Sequence, residues 1–159
     1  MIYYHISRKS DYIGGVKMEE QLHKILTNLA IFNNIYMKLA HQNEISLAEL
    51  YVYMAFEEHD YRITNSQIVE YTGYSKQTIS SLIKRYKKKG LVVSQESSKD
   101  KRSKILVPTN KGRKQLEKIL ASVHASELQA LDEFSLEKAK LLNDLSTELI
   151  DILGKQVEK

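Results

Sequence analysis

Apolar residues recur at three- and four-residue steps along most of this chain, the period of amphipathic helices rather than of strands. Over residues 19–41, Leu22, Ile25, Leu26, Leu29, Phe32, Tyr36 and Leu39 share one face of a predicted rod, about six turns long at 3.6 residues per turn. Ser46 and Glu49 make an S-x-x-E capping box for a second helix, whose Leu47, Leu50, Tyr51 and Met54 share a face ending near Glu58. Thr64 and Gln67 repeat that box and open a short helix over residues 65–72, which stops at Gly73 because a positive φ costs glycine nothing. Ser75 caps a further helix running to Lys89 and closed by Gly90.

Two helices joined by a short turn containing glycine have helix-turn-helix spacing, with Ile68 and Val69 facing Ile79, Leu82 and Ile83. After Gly90 the pattern changes. Leu91, Val92 and Val93 predict a strand, residues 97–102 a polar turn, and Ile105, Leu106 and Val107 a return strand that Pro108 ends. This hairpin is a predicted wing. Thr109 caps a helix carrying Leu116, Ile119, Leu120, Val123, Leu128 and Leu131, and Ser135 caps a last one carrying Leu142, Leu145, Leu149, Ile152 and Leu153. Both stripes are longer than a small winged-helix core requires, which suggests a dimer interface built from the two ends of the chain; the alternative is packing on their own subunit alone. The expected fold is mainly α, an α+β winged helix: six helices, a two-stranded β-wing and terminal helices forming a dimerisation region. Its predicted parts are an N-terminal arm over 1–17 with a Gly14-Gly15 break, a winged helix-turn-helix over 45–109, and a helical dimerisation region from 18–44 and 110–159.

Charge changes the picture. Residues 75–114 hold thirteen Lys or Arg against Glu96 and Asp100, and taking that segment from the whole leaves eleven basic and eighteen acidic residues. The formal +4 therefore conceals about +11 in one segment and −7 elsewhere. A polyanion is the expected partner of such a segment, and a helix plus hairpin fits nucleic acid grooves. Composition, at 42% hydrophobic with one Pro and six Gly in 159 residues, permits a proper core that buries roughly 68–70% of the unfolded surface. Cysteine is absent, which removes disulfides, thiol nucleophiles and thiol-based redox sensing together. The longest apolar run, residues 51–56, falls far short of the ~20 residues a membrane span needs, and no signal-like region opens the chain. The expectation is a cytoplasmic protein without a membrane partner.

The run Ser75-Lys-Gln-Thr78-Ile-Ser80, then Ile83, Gly90-Leu91-Val92, Asp100-Lys-Arg102 and Val107-Pro-Thr109-Asn-Lys-Gly112 resembles the MarR-type (multiple antibiotic resistance regulator) winged-helix transcription factors. The likeness follows helix order over residues 19–155, and its specific part is 64–112. It implies a MarR-like six-helix homodimer on pseudo-palindromic double-stranded DNA, usually repressing, often released by a small-molecule effector held between the dimerisation helices and the reader. Pro108 departs from that pattern, standing where a strand residue usually precedes the Thr, and the N-terminal arm is longer than usual.

On the predicted reading helix, Ser75, Lys76, Gln77, Thr78, Ser80, Ser81 and Lys84 occupy positions that Ile79, Leu82 and Ile83 do not. Gln77 is the candidate base reader, because its amide can pair bidentately with adenine N6 and N7; Ser75, Thr78 and Ser80 suit phosphate or mixed contacts. Lys76 in a first helical turn opposes the helix dipole, a conflict that a phosphate there would relieve, unless the side chain simply extends into solvent. The wing contributes Lys99, Asp100, Lys101, Arg102 and Lys104. Arg102 suits a narrow minor groove, and the resemblance implies that Asp100 orients it by a charge-assisted hydrogen bond. Of the run Lys84-Arg85-Tyr86-Lys87-Lys88-Lys89, only Lys84 is assigned to the reading end, since cations at a helix C-terminus are stabilised by the dipole in many proteins that bind no nucleic acid.

Other constellations are weaker. His41 with Glu44, and Glu57-Glu58-His59-Asp60, offer metal-type ligands in no closed set, so neither a metal nor a cofactor is expected. His5, His23 and His124 read as isolated surface or partly packed residues. Tyr36, Tyr51 and Met54 fit a ligand pocket or ordinary core packing equally well. No catalytic set can be assembled, and an enzyme is not expected. The alternative to a DNA-binding regulator is a winged-helix module for protein assembly, its basic face meeting an acidic partner.

Overall fold

The computed structural model describes residues 12–13, 16–96 and 104–157 of the chain. Six helices carry the fold: α1 (Met18–Gln42), α2 (Leu47–Glu58), α3 (Asn65–Thr72), α4 (Lys76–Lys88), α5 (Asn110–Phe134) and α6 (Leu136–Val157). Five short strands complete it: β1 (Tyr12–Ile13), β2 (Val16–Lys17), β3 (Ile63–Thr64), β4 (Val92–Glu96) and β5 (Lys104–Pro108). The chain divides into two compact units, residues 1–52 and 53–159.

In the first unit, β1 and β2 pair antiparallel, with Tyr12 opposite Lys17 and Ile13 opposite Val16. The predicted arm thus contains a small hairpin, for which Gly-Gly between β-rich pairs was the available signal. Helix α1 ends in a helix-stop motif: Ile45 N–H donates to the Ala40 carbonyl and Glu44 N–H to that of His41, with Glu44 at φ 58°. Ser46 and Glu49 then form the predicted capping box, Glu49 N–H donating to Ser46 Oγ at 3.3 Å and Ser46 N–H to Glu49 Oε2 at 3.1 Å. Tyr51 hydroxyl donates to Asn33 Oδ1 on α1 at 2.7 Å. Most of the α1 stripe stays open, Leu22, Ile25, Leu26, Leu29 and Phe32 being exposed.

The second unit has a core of Tyr53, Phe56, Ile63, Ile68, Ile79, Leu82, Ile83, Tyr86, Leu91, Val92, Leu106, Leu116, Leu120 and Val123. Tyr53 and Tyr86 pack with ring centroids 5.8 Å apart. The predicted hairpin is present and is joined by a third strand, giving the order β3-β5-β4. Two-residue β3 is too short to show an alternating pattern along the sequence. Pro108 is the last residue of β5, opposite Val92, where a missing N–H is tolerated.

Helix ends here follow from backbone chemistry. After α2, Tyr61 N–H donates to the Phe56 carbonyl and Asp60 N–H to that of Glu57, with Asp60 and Tyr61 both at positive φ. The Arg113 guanidinium lies 3.2 Å from the Tyr61 ring centroid, a cation–π contact that ties α5 to this turn. Helix α4 stops one residue earlier than expected, at Lys88, in a Schellman motif: Gly90 N–H donates to Lys87 O at 3.0 Å and Leu91 N–H to Tyr86 O at 2.9 Å, with Gly90 at φ 67°. The first turn of α5 sits directly on this corner. Thr109 N–H donates to the Leu91 carbonyl at 2.9 Å, and its hydroxyl donates to the Gly90 carbonyl at 2.7 Å while accepting from Gly112 N–H at 3.1 Å. A Cβ on Gly112 would overlap the Leu91 carbonyl, so only glycine fits.

His124 is not isolated, contrary to expectation. Its Nδ1 meets Glu127 Oε2 at 2.8 Å and its Nε2 meets Glu57 Oε2 at 2.9 Å, linking α5 to α2. The Glu127 hydrogen bond, helped by Glu57, holds the imidazole above its ordinary pKa against partial burial. With carboxylates at both nitrogens, the favoured species is the imidazolium. Helices α5 and α6 meet at Ser135, at φ 74° and ψ 143°, which ends one helix and accepts weakly from Lys138 N–H of the next at 3.5 Å. No described residue of α6 is buried.

Two outcomes are expected. Gly112→Ala should lose about 1–3 kcal/mol or more in a urea titration, as overpacking against rigid backbone does, whereas Gly154→Ala, with nothing within 4 Å of its added methyl, should be neutral or gain up to ~1 kcal/mol. For His124, a raised folded pKa means its stabilisation is complete below the unfolded pKa of about 6.5 and disappears as pH rises through the folded value. The melting-temperature loss of His124→Ala should therefore shrink from pH 6 to pH 9.

Candidate nucleic-acid interface

Helix α4 is built to be buried on one side only. Ile79, Leu82, Ile83 and Tyr86 face the core, while Ser75, Lys76, Gln77, Thr78, Ser80, Ser81 and Lys84 are all exposed. Its start is held by Ser75, whose hydroxyl oxygen accepts from Thr78 N–H at 3.1 Å and lies 2.9 Å from Thr78 Oγ1. Capping is thus the first role of Ser75, and the Thr78 hydroxyl pairs with the capping hydroxyl. The helix contains no acidic residue, so its exposed side is uniformly cationic or neutral.

Helical geometry sorts the exposed residues. Gln77, Ser81, Lys84 and Lys88 follow steps of four, three and four and run along the side opposite the buried stripe. From Gln77 to Lys88 this row spans ~16 Å at 1.5 Å per residue. Lys88 belongs to it, although charge density alone gave no reason to separate it from its neighbours; the signal was its register with Gln77, readable once the buried face is known.

The turn that places α4 is also secured. Thr64 N–H donates to Gln67 Oε1 at 2.9 Å and Gln67 N–H to Thr64 Oγ1 at 3.3 Å, completing the predicted box at the start of α3. Gly73 at φ 69° ends α3, its N–H donating to the Val69 carbonyl at 2.9 Å. Ile68 is buried and Val69 half-buried against α4. Beside α4 rises the β4–β5 hairpin, with Ser94 opposite Leu106, Gln95 opposite Ile105 and Glu96 opposite Lys104. Lys104 is exposed at the start of β5. Lys99, Asp100, Lys101 and Arg102, with the proposed Asp100–Arg102 pairing, lie outside the described residues.

The remaining candidates separate from this face. Among the described residues, no group of three or more His, Asp or Glu side chains could hold a metal ion; Glu57 is engaged by His124, and His59 Nδ1 lies 3.1 Å from the Ala55 carbonyl. Tyr71 has its phenol pKa raised by burial, with Glu58, Glu57 and Glu127 adding to the effect. Tyr36, Tyr51 and Met54 are half-buried. No helix of the described residues is long and apolar enough to cross a membrane.

Comparison with known proteins agrees with this arrangement. Residues 43–103 match the model of the MarR family, a stretch that runs from the start of α2 into the wing. A solved MarR family regulator from Neisseria meningitidis is similar in fold, with a TM-score of 0.77 at 21% identity over 87% of this chain and 96% of that one. The Staphylococcus aureus MarR in complex with salicylate and kanamycin gives 0.67 at 18% identity over 86% and 92%. NadR in complex with 4-hydroxyphenylacetate gives 0.65 at 21% over 87% and 95%. No curated protein matches the chain. The winged-helix segment thus carries the MarR pattern, and the chain has the fold of MarR-type transcription regulators.

Proposed function

We propose that this protein is a dimeric transcription regulator that lays α4 in the major groove of a pseudo-palindromic operator, with the wing following the neighbouring minor groove. The observation that carries this reading is the row Gln77, Ser81, Lys84 and Lys88: hydrogen-bonding side chains at one end, cations at the other, opposite a fully buried stripe and free of acids. Amides and hydroxyls read base edges, whereas ammonium groups meet phosphates where the helix leaves the groove. Lys76, Ser80 and Thr78 flank the row, and Lys99, Lys101, Arg102 and Lys104 supply the wing with charge. A cytoplasmic repressor is the form of regulator we infer.

Dimerisation is supported by apolar surface the single chain leaves uncovered. Leu145 in α6 is 56% exposed, and Leu141, Leu142, Ile152 and Leu153 are open as well. Helix α1 shows a comparable stripe. Exposure on this scale is unusual for a monomer and suits a second copy. Two readers held about one helical turn apart, or a multiple of it, would then meet two half-sites. Control by a small effector is supported by the two ligand-bound proteins of like fold, whose ligands include the aromatic carboxylates salicylate and 4-hydroxyphenylacetate.

Duplexes selected by the protein from a random pool test the reading directly. Gln77→Ala should cost roughly 1–3 kcal/mol and relax preference at one position per half-site, whereas Lys88→Ala should weaken all sequences alike and lower the salt slope by about one. If neither substitution altered binding, α4 would not be the reader. Leu145→Asp should give a monomer by sedimentation and abolish operator binding; a monomer that kept full affinity for a palindrome would contradict the dimer.

A further inference from the structure

The outer strand of the wing is open to solvent along most of its length. Strand β4 is an edge strand, paired only with β5. Val92 is its one buried residue, and Val93, Ser94, Gln95 and Glu96 are all exposed. Beyond Val92 the core holds the hairpin through β5, whose Leu106 is buried and which pairs with β3 at Leu106 and Ile105, and not through β4 itself. Two cations grip it at that point, from opposite faces. Ser94 is paired across the ladder with buried Leu106 and lies on the core side of the sheet, where Lys87 Nζ donates to its hydroxyl at 2.6 Å. Gln95, the next residue, projects from the other side by strand alternation, and there Arg62 Nη1 donates to its Oε1 at 3.3 Å.

Lys87 differs from its neighbours in this respect. Lys84 and Lys88 belong to the row opposite the buried stripe, whereas Lys87 is rotated about 100° from Lys88 and reaches the root of the wing. Resting on the DNA-binding reading above, we propose that Lys87 is a positioning residue: through Ser94 it fixes the wing relative to α4, and so sets which flanking minor-groove segment the wing can reach for a given major-groove register. Arg62 braces the other face of the same strand. A lysine that sequence alone leaves as dipole-stabilised charge at a helix C-terminus thus serves the geometry of recognition.

Charge loss and loss of position can be told apart, because Ser94→Ala breaks the contact without altering charge. Lys87→Met and Ser94→Ala should each weaken operator binding about 3- to 10-fold, the range of one hydrogen bond, and erase hydroxyl-radical protection in the flanking minor groove while leaving the central major-groove protection intact. The double variant should be no worse than either single one. A salt slope that falls by one in Lys87→Met, with Ser94→Ala binding as the parent does, would make Lys87 a phosphate contact and overturn the proposal.

A measurement without DNA keeps this outcome separate from failure of the binding reading. Since the chain has no cysteine, Ser80→Cys with Glu96→Cys gives two unique spin-label sites, one on α4 and one on the wing. Diluted with unlabelled chain, the parent should give one narrow distance distribution that widens in both Lys87→Met and Ser94→Ala. Distributions as narrow as the parent's in both variants would refute the positioning role whatever the protein binds.

Discussion

The carbonyl groups of Gly90 and Leu91 hold the reading apparatus together. Helix α4 ends by directing Leu91 N–H back to Tyr86, which leaves these two carbonyls facing the start of α5, and Thr109 takes both, one with its hydroxyl and one with its amide. The same hydroxyl receives Gly112 N–H and thereby caps α5. One threonine therefore closes the corner between the reading helix, the hairpin that follows it and the long helix that leaves it. The approach is close enough that the residue one turn into α5 must lack a Cβ. Because backbone groups supply most of these bonds, the corner specifies few residues: a threonine, two glycines at 90 and 112, and an apolar residue at 91.

Further along α5, contacts of another kind join it to the domain it leaves. Arg113 covers Tyr61, whose phenol pKa is raised by burial, with the guanidinium opposing that rise. Gln115 donates to the Tyr53 hydroxyl at 3.2 Å, and His124 bridges to Glu57. All are polar and partly open to water, so each contributes modestly. Spread along about three turns of α5, they align it with the end of α2, while buried Leu116, Leu120 and Val123 supply most of the cohesion.

Much of this was legible in the sequence, because the signals were local. Ser46-x-x-Glu49, Thr64-x-x-Gln67, Gly73 and Gly90 state where helices start and stop through the chemistry of one turn, and all four do so in the structure. The apolar rhythm likewise identified the buried side of α4. What escaped depends on contacts distant in sequence. Strand β3 has two residues and exists only because β5 lies beside it. His124 meets Glu57 across 67 positions, a separation no periodicity reveals. Lys87 and Lys88 are adjacent and chemically identical, and their different directions follow from helix rotation against a core that had first to be located. Asp60 and Tyr61 adopt positive φ without glycine to announce it.

Ser135 is the sole residue between a helix of 25 residues and one of 22. Its left-handed backbone is awkward for a side chain bearing a Cβ, and it hangs a rod ~33 Å long on a single joint. Such an arrangement has leverage: a swing of about ten degrees at the joint displaces the far tip by ~6 Å, roughly one helical pitch. Modest adjustments near residue 135 are thereby magnified into a whole-turn offset at the far end of α6.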